Sequence, residues 1–540
     1  TNDIKANGNI IGDNSTNISG ISSVTATNYY GNGASLSGIE AAPTVTGTAS
    51  ETIAANKAVI IKSDGSIGVV AGKAAGTSSS GDNVFASSSS YWPQKIYVAI
   101  TPDGTKAAVL YRKSSDSISY LRIGTVVLNG SSSTISWGTE VAIVPPSGAG
   151  GIISQTHDEA RLINIDNSRF LLLYLDFSSS GSAASAAYAG LVSVSGTTPT
   201  FGTPFACHGG NYANQADMCQ ITGTNKVFVS LRQRNNSYIK VQVLDCSSSG
   251  TTVTAGSSAD CAFDAEFPTP AWDSTNNQGY VCVRASNTMQ AFPVAVSGTT
   301  IGTIGSKVNS SNAMGSRKPG FVYNSVDNKI IVAHVSGSTN ETQLTAGTCI
   351  SGSLSWGSAS LPPGGSVYWY GQKLAYDPIK NITTCIMLHN TSGHYDTYTF
   401  RMTISGTSVV AYDLVELEGP TQGGQEYDRG ITNVSDSTGG LTLYAYARSN
   451  STPATGAAVF QQLAASNANT GNFIGFSDAA YTNGQTVKVK VVGNITTQSG
   501  LTPGKKYYIQ TDGTVGATAA DPNIPCGKSL SSTELLIDYS

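Results

Sequence analysis

The chain has 540 residues, only 12% of them charged, with a formal net charge of −4. This length exceeds one ordinary domain. The mild acidity leaves no basic footprint for nucleic acid, and no apolar run approaches the roughly 20 residues of a membrane span. With 59 glycines, abundant Ser, Thr and Asn, and 39% hydrophobic residues, the composition points to an all-β extracellular or virion protein with a packed core rather than a disordered chain. The sequence opens at Thr1 without Met or a basic-then-apolar leader, which reads as a processed product or a chain lacking its true start.

Residues 1–44 carry single apolar residues (Ile4, Ile10, Ile11, Ile18, Ile21, Val24, Leu36, Ile39) spaced by polar, Gly-rich stretches. Alone, such a segment buries too little surface to offset its ordering entropy. It reads as a fibrous, oligomerising shaft, with a disordered tail as the alternative. Segment 45–72 holds short strands that either close the next domain or pair with the C-terminal module.

Helical periodicity is nearly absent, and short alternating runs bounded by Gly, Asn, Asp and Ser dominate. From 73 to 470 a unit recurs. Seven apolar strand cores appear: AAVLY (107–111), FLLLY (170–174), VFVSL (227–231), YVCV (280–283), IIVAH (330–334), CIML (385–388) and LTLYAY (441–446). Each follows a polar turn such as TPDGTK (101–106) or SVDNK (325–329) and precedes a hairpin such as SGTTPTFG (195–202) or SGSLSWG (351–357). Asn, Asp and Gly tolerate the positive φ of tight turns. Four strands per roughly 55 residues is the pattern of a β-propeller blade, so the expected fold is all-β: a seven-bladed β-propeller with a fibrous N-terminal segment and a small C-terminal β module. The seventh unit lacks an outer strand. Ring closure assigns it to 57–72, with 472–476 as second donor. Segment 471–540 is the C-terminal module, and its GLTPGKKYYIQTDGTVG (500–516) aligns without gaps to TIAANKAVIIKSDGSIG (52–68).

Eight cysteines show no zinc-ligand spacing. Cys282 and Cys385 read as buried hydrophobes, and Cys207/Cys219 and Cys246/Cys261 are spaced for local disulfides. The turns lack the Thr-Trp ending of sialidase Asp boxes. SGSLSWG is not a nucleophile elbow. The five histidines are scattered, and no phosphate- or dinucleotide-binding loop occurs. These features predict no enzyme, no cofactor and no metal, although Asp158, Glu159 and Asp428 are placed where carboxylates could face a central channel.

Aromatic and polar residues gather where each unit's first strand begins: Tyr91, Trp92 and Gln94; His157 and Asp158; Tyr212, Asn214 and Gln215; Phe267; Arg317 and Lys318; Tyr368, Trp369, Tyr370 and Gln372; Tyr427, Asp428 and Arg429. In a propeller these connections share one face, so the residues converge. Aromatic platforms with amides, carboxylates and Arg suit sugar rings. The expected ligand-binding set is Trp92, Gln94, His157, Asp158, Tyr212, Gln215, Arg317, Tyr368, Trp369, Tyr370, Tyr427, Asp428 and Arg429. The bland reading is that blade-start aromatics simply pack between blades.

Two segments carry a resemblance. VTATNYYGNGASLSGI (24–39) is similar to a repeated A-x-x-F/Y-x-G-N-G-x-x-L-x-G-I motif of tail-fibre and other structural proteins of marine bacteriophages, notably cyanophages. NGQTVKVKVVGNITTQSGLTPGKKYYIQTDGTVG (483–516), followed by GKSLSSTELLI (527–537), resembles a C-terminal module of phage tail-fibre-like proteins. Together they cover less than a fifth of the chain and carry no catalytic residues. The resemblance implies a virion appendage located on the tail or another surface structure, homotrimeric, joined to other virion proteins through the N-terminal segment. Its partner would be a host cell-surface glycan, with no nucleic acid and no membrane insertion. The alternatives are a purely structural appendage (head fibre or fibre spacer) and a polysaccharide depolymerase.

Overall fold

The computed structural model describes residues 44–539 apart from 63, 71–82, 92, 116–117, 129–132, 145, 147–159, 178–184, 211–212, 364–368, 379–380, 392–393, 423–428, 435–440, 449–453, 463–467, 469–470, 511–512 and 520–522. The shaft expected over 1–44, and the first phage-like motif within it, lie outside the described residues except for Thr44. Beyond one 3-10 turn at Cys207–Gly210, the described elements are all strands, and none of the described helices is long and apolar enough to cross a membrane. The chain is an all-β β-propeller with a smaller β unit. Contacts separate one unit formed by 44–69, 472–508 and 525–539 from another formed by 70–471 and 509–524.

The propeller unit holds seven consecutive antiparallel sheets. Their first strands are Pro93–Ile100, Arg161–Asp166, Ala213–Ile221, Glu266–Asp273, Gly320–Asn324, Trp369–Asp377 and Arg429–Val434. All seven apolar runs seen in the sequence are the second strands, from Lys106–Lys113 in the first sheet to Leu441–Arg448 in the seventh. The first strand of each sheet lies against that of the next, and the seventh against the first, so the ring is closed.

The second strands are apolar throughout because both of their faces are buried. Ala107, Val109 and Tyr111 enter the core shared with the seventh sheet, while the alternating Ala108 and Leu110 enter the core shared with the second. Phe170, Leu172 and Tyr174 face the first sheet, and Leu171, Leu173 and Leu175 face the third.

Closure differs from the sequence expectation. The outer strand of the seventh sheet is Asn83–Ser88, paired with Ala454–Gln462, rather than 57–72 or 472–476. Its anchor is Phe85, wholly buried against Tyr111 (ring centroids 5.3 Å) and Trp137 (6.1 Å). One apolar anchor in NVFASS is too little periodicity to read as a strand.

A repeated glycine completes the outer packing. A Cβ on Gly202, Gly256 or Gly357 would lie 2.1, 1.9 or 1.9 Å from the carbonyl oxygen of Thr251, Thr299 or Thr407. Those threonines sit in the SGT hairpin of the following sheet, so a side chain would hold neighbouring sheets apart. The disulfide expectation also fails. Cys207 and Cys246 share the core between sheets two and three, Cys219 and Cys261 pack in the next core, and all eight thiols are free.

Two further sheets explain the flanking alignment. One sheet has the order 44–48, 486–490, 473–477, 58–61, 67–69, and a second has 495–497, 534–537, 525–529, 506–509, 515–516. The strand order along the chain is the same in both. Hydrogen bonds match one for one: Lys62 N to Ser66 O and Gln510 N to Thr514 O, both 2.8 Å; Ser477 N to Lys57 O at 2.9 Å and Ser529 N to Lys505 O at 3.0 Å. Gly65 and Gly513 turn at φ 82° and 81°. The modules differ in one connection: 517–524 in the second, and 70–472, carrying the whole propeller, in the first.

Candidate functional site at the propeller channel

The first strands of all seven sheets line a central cavity of about 200 Å³. Four of these strands carry a bulge just before they enter it, between Gln94 and Tyr97, Ala213 and Gln215, Glu266 and Thr269, and Tyr370 and Lys373. Three of these bulges contain a residue at positive φ: Lys95 (52°), Phe267 (57°) and Gly371 (62°). Lys95 and Phe267 adopt this conformation without glycine's freedom, a cost met chiefly where a site re-aims its side chains.

Long charged side chains meet across the cavity. Asp217, with its side chain 3% exposed, accepts from Arg161 through Nε at 2.5 Å and Nη2 at 3.2 Å, and pairs with Lys318 Nζ at 3.1 Å. The Met218 amide donates to the same carboxylate at 2.8 Å. Lys318 reaches from before the fifth sheet to the Ala216 carbonyl of the third (3.2 Å). Lys373 of the sixth sheet donates to Ile96 O of the first (3.3 Å) and lies 4.4 Å from the centre of the Tyr97 ring, beside which Arg161 also lies (5.7 Å). Arg161, Lys373, the shielded Asp217 carboxylate and the Tyr97 ring thus line one cavity, with Lys318 paired to Asp217. Such a set binds hydroxyl-rich or anionic groups by charge-assisted hydrogen bonds. Asp217 is the one carboxylate among the described lining residues.

Of the thirteen residues expected to bind ligand, Trp92, His157, Asp158, Tyr212, Tyr368, Tyr427 and Asp428 lie outside the described residues. Trp369, Tyr370 and Arg429 begin their inner strands, three and two positions before the lining residue Gln372 and one before Gly430. Gln94 and Gln215 do not open into the cavity. Gln94 accepts from Arg112 Nη1 (3.0 Å), and Gln215 accepts from the Phe267 amide (2.6 Å), tying the fourth sheet to the third. Arg317 lines a separate polar cavity of about 540 Å³ with Arg284 and Asn340. Sequence reasoning placed residues one to three positions upstream of the cavity on several strands. It did not single out Tyr97, Arg161, Asp217 or Lys373, the last three marked only by a charge within a strand.

Among the described residues the histidines do not gather. His334 is wholly buried, and burial pushes its pKa down to about 4, so it is a neutral core residue. The His208 Nδ1 contacts Ser258 Oγ at 2.5 Å. His389 stands edge-on to Tyr398. Among the described residues no group of three or more His, Cys, Asp or Glu is placed to hold a metal ion.

No protein-family model matches the chain, and no curated protein is similar to it. Among solved structures, the periplasmic gluconolactonase of Pseudomonas aeruginosa is 12% identical over 70% of this chain and 96% of its own, with a TM-score of 0.44. A protein from Lactobacillus plantarum is 10% identical over 61% of this chain and 86% of its own (TM-score 0.42). A putative 6-phosphogluconolactonase from Bacteroides uniformis is 10% identical over 60% and 86% (TM-score 0.39). At such identities the likeness extends to the fold and to nothing chemical.

Proposed function

We propose that this protein is a virion tail-fibre or receptor-binding adhesin that attaches to a bacterial surface glycan and performs no catalysis. The run 483–516 with 527–537 carries the reading, through its resemblance to the C-terminal module of phage tail-fibre-like proteins. Support comes from a propeller channel whose inner strands bring Arg161, Lys373 and Tyr97 together, with Lys318 paired to Asp217 beside them. These groups suit an acidic or hydroxyl-rich saccharide. The N-terminal segment 1–44 would join three copies and link them to other virion proteins.

The test is a glycan array probed with the full chain, alongside adsorption to bacterial cells. Binding that weakens about tenfold in Lys373→Ala, the loss expected for one charge-assisted hydrogen bond, supports the reading. Absence of both glycan and cell binding overturns the receptor role in favour of a structural appendage. Reducing-end release from host polysaccharide, abolished in Asp158→Ala or Asp428→Ala, would instead mark a depolymerase.

A further inference from the structure

Ring closure builds a second cleft, away from the channel. Where Asn83–Ser88 runs beside the first sheet, Phe85, Tyr91, Arg122, Trp137, Glu140 and Thr197 line a cavity of about 560 Å³. That volume lies within the range of small-ligand pockets.

Part of this seam is scaffold, and an internal comparison shows which part. Trp137 donates Nε1–H to Asn83 O of the preceding sheet at 3.1 Å. At the junction of sheets four and five, Trp356 donates in the same way to Val308 O at 3.0 Å. Both tryptophans stand opposite a strand glycine, Gly124 and Gly347. By the same register, Tyr111, Lys113 and Glu140 of the seam correspond to His334, Ser336 and Ala359. Packing two sheets around a tryptophan therefore does not require the Tyr-Lys-Glu cluster, which belongs to the seam alone of these two junctions.

The cluster is arranged around Glu140. Tyr111 OH donates to its Oε2 and Lys113 Nζ to its Oε1. Lys113 also lies over the rings of Tyr120 (3.8 Å) and Tyr91 (4.8 Å). Partial burial pushes the Glu140 pKa up, but the Lys113 and Tyr111 bonds outweigh it and hold the carboxyl below its ordinary value. Each carboxylate oxygen has two acceptor sites and gives one to these partners. With its side chain 33% exposed, Glu140 keeps the others for a ligand. The cations are turned onto the protein: Lys113 onto Glu140, and Arg122 onto Gly138 O (2.8 Å) and Phe85 O. What the cleft offers is an acceptor pair beside two aromatic rings, which fits donors on a ring with an apolar face.

We propose that this seam cleft binds a neutral pyranose, its hydroxyls donating to Glu140 and its C–H face lying on Tyr91 and Trp137. The choice of a sugar rests on the adhesin reading above; the cleft itself does not. The experiment titrates the full chain with methyl β-glucopyranoside, methyl β-galactopyranoside and methyl α-mannopyranoside by saturation-transfer NMR and calorimetry. At least one is expected to bind, about tenfold more weakly in Glu140→Gln. Tyr91→Ala, which trims a half-buried ring beside a loop, is expected to weaken binding without moving the melting temperature. Failure of all three glycosides to bind, or equal affinity in both seam variants, overturns the proposal. Array binding that persists while the seam variants behave as wild type refutes the seam and leaves the adhesin reading standing. Glycoside binding at the seam without any array or cell binding does the reverse.

Discussion

On the propeller face formed by the first turn of each sheet, polar side chains are turned on one another. Asn324 donates to Asp327 (2.9 Å) and to Asn381 of the next sheet (2.8 Å), and Asn381 donates back to Asp327 (3.1 Å). Tyr323 OH bridges Thr275 (2.6 Å) and Asn328 (3.0 Å). On the opposite face, where each sheet hands the chain to the next, the polar groups are long and charged, four of the seven first strands bulge, and Arg161, Asp217 and Lys373 line a cavity. Short side chains in the turns bond one another and tie sheet ends together. Long charged ones meet around a cavity. Both faces are polar, so polarity alone does not mark a site; what separates them is the cavity.

The strongest way to break this contrast is Asp217→Leu. It leaves Arg161 and Lys318 facing each other without their shared carboxylate and should cost about 3–5 kcal/mol, read as a lower urea midpoint. A change under about 1 kcal/mol would mean the channel charges are loosely solvated. On the turn face, Asn324→Leu removes its bonds to Asp327 and Asn381 and should cost about 1–3 kcal/mol in the same assay, with glycan binding unchanged.

A pH series sharpens the comparison further. Partial burial raises the Asp103 pKa, but bonds from Thr101 and Thr105 more than offset it and bring the group below its ordinary 3.8. In Asp166 burial is likewise outweighed by Arg169 and Ser168, and in Asp245 the Ser247 bond leads the lowering. A carboxylate with a depressed folded-state pKa adds stability that is fully present above its unfolded value and lost as pH falls through the folded one. The melting temperature should therefore drop below about pH 4, and less steeply in Asp103→Asn. An unchanged acid limb in that variant would remove the turn carboxylates from the account. The smallest expected effect is a null: Asn381→Ala should leave glycan affinity within about twofold of wild type, as surface changes away from a site usually do. A larger loss would put recognition on the wrong face.

The second strands were legible because burial on both faces writes an unbroken apolar run, as in FLLLY at 170–174. The outer strand Asn83–Ser88 was not, because an edge strand needs only Phe85 to be apolar and its partner lies more than 360 residues away in the chain. At the channel, Trp369, Tyr370 and Arg429 precede lining residues along their strands, whereas Arg161, Asp217 and Lys373 are themselves lining residues, and the bulges before Asp217 and Lys373 depend on pairing with a neighbouring strand.

By itself the sequence determined the strand content, the seven-fold repeat and the kinship of 52–68 with 500–516, since these follow from local periodicity and turn chemistry. Tertiary structure alone decided which strand closes the ring, that the propeller occupies one connection of a duplicated β module, and that Arg161 and Lys318 converge on Asp217. Those outcomes depend on register and on pairing between segments remote in the chain, and a one-residue shift in register turns every side chain of a strand to its other face.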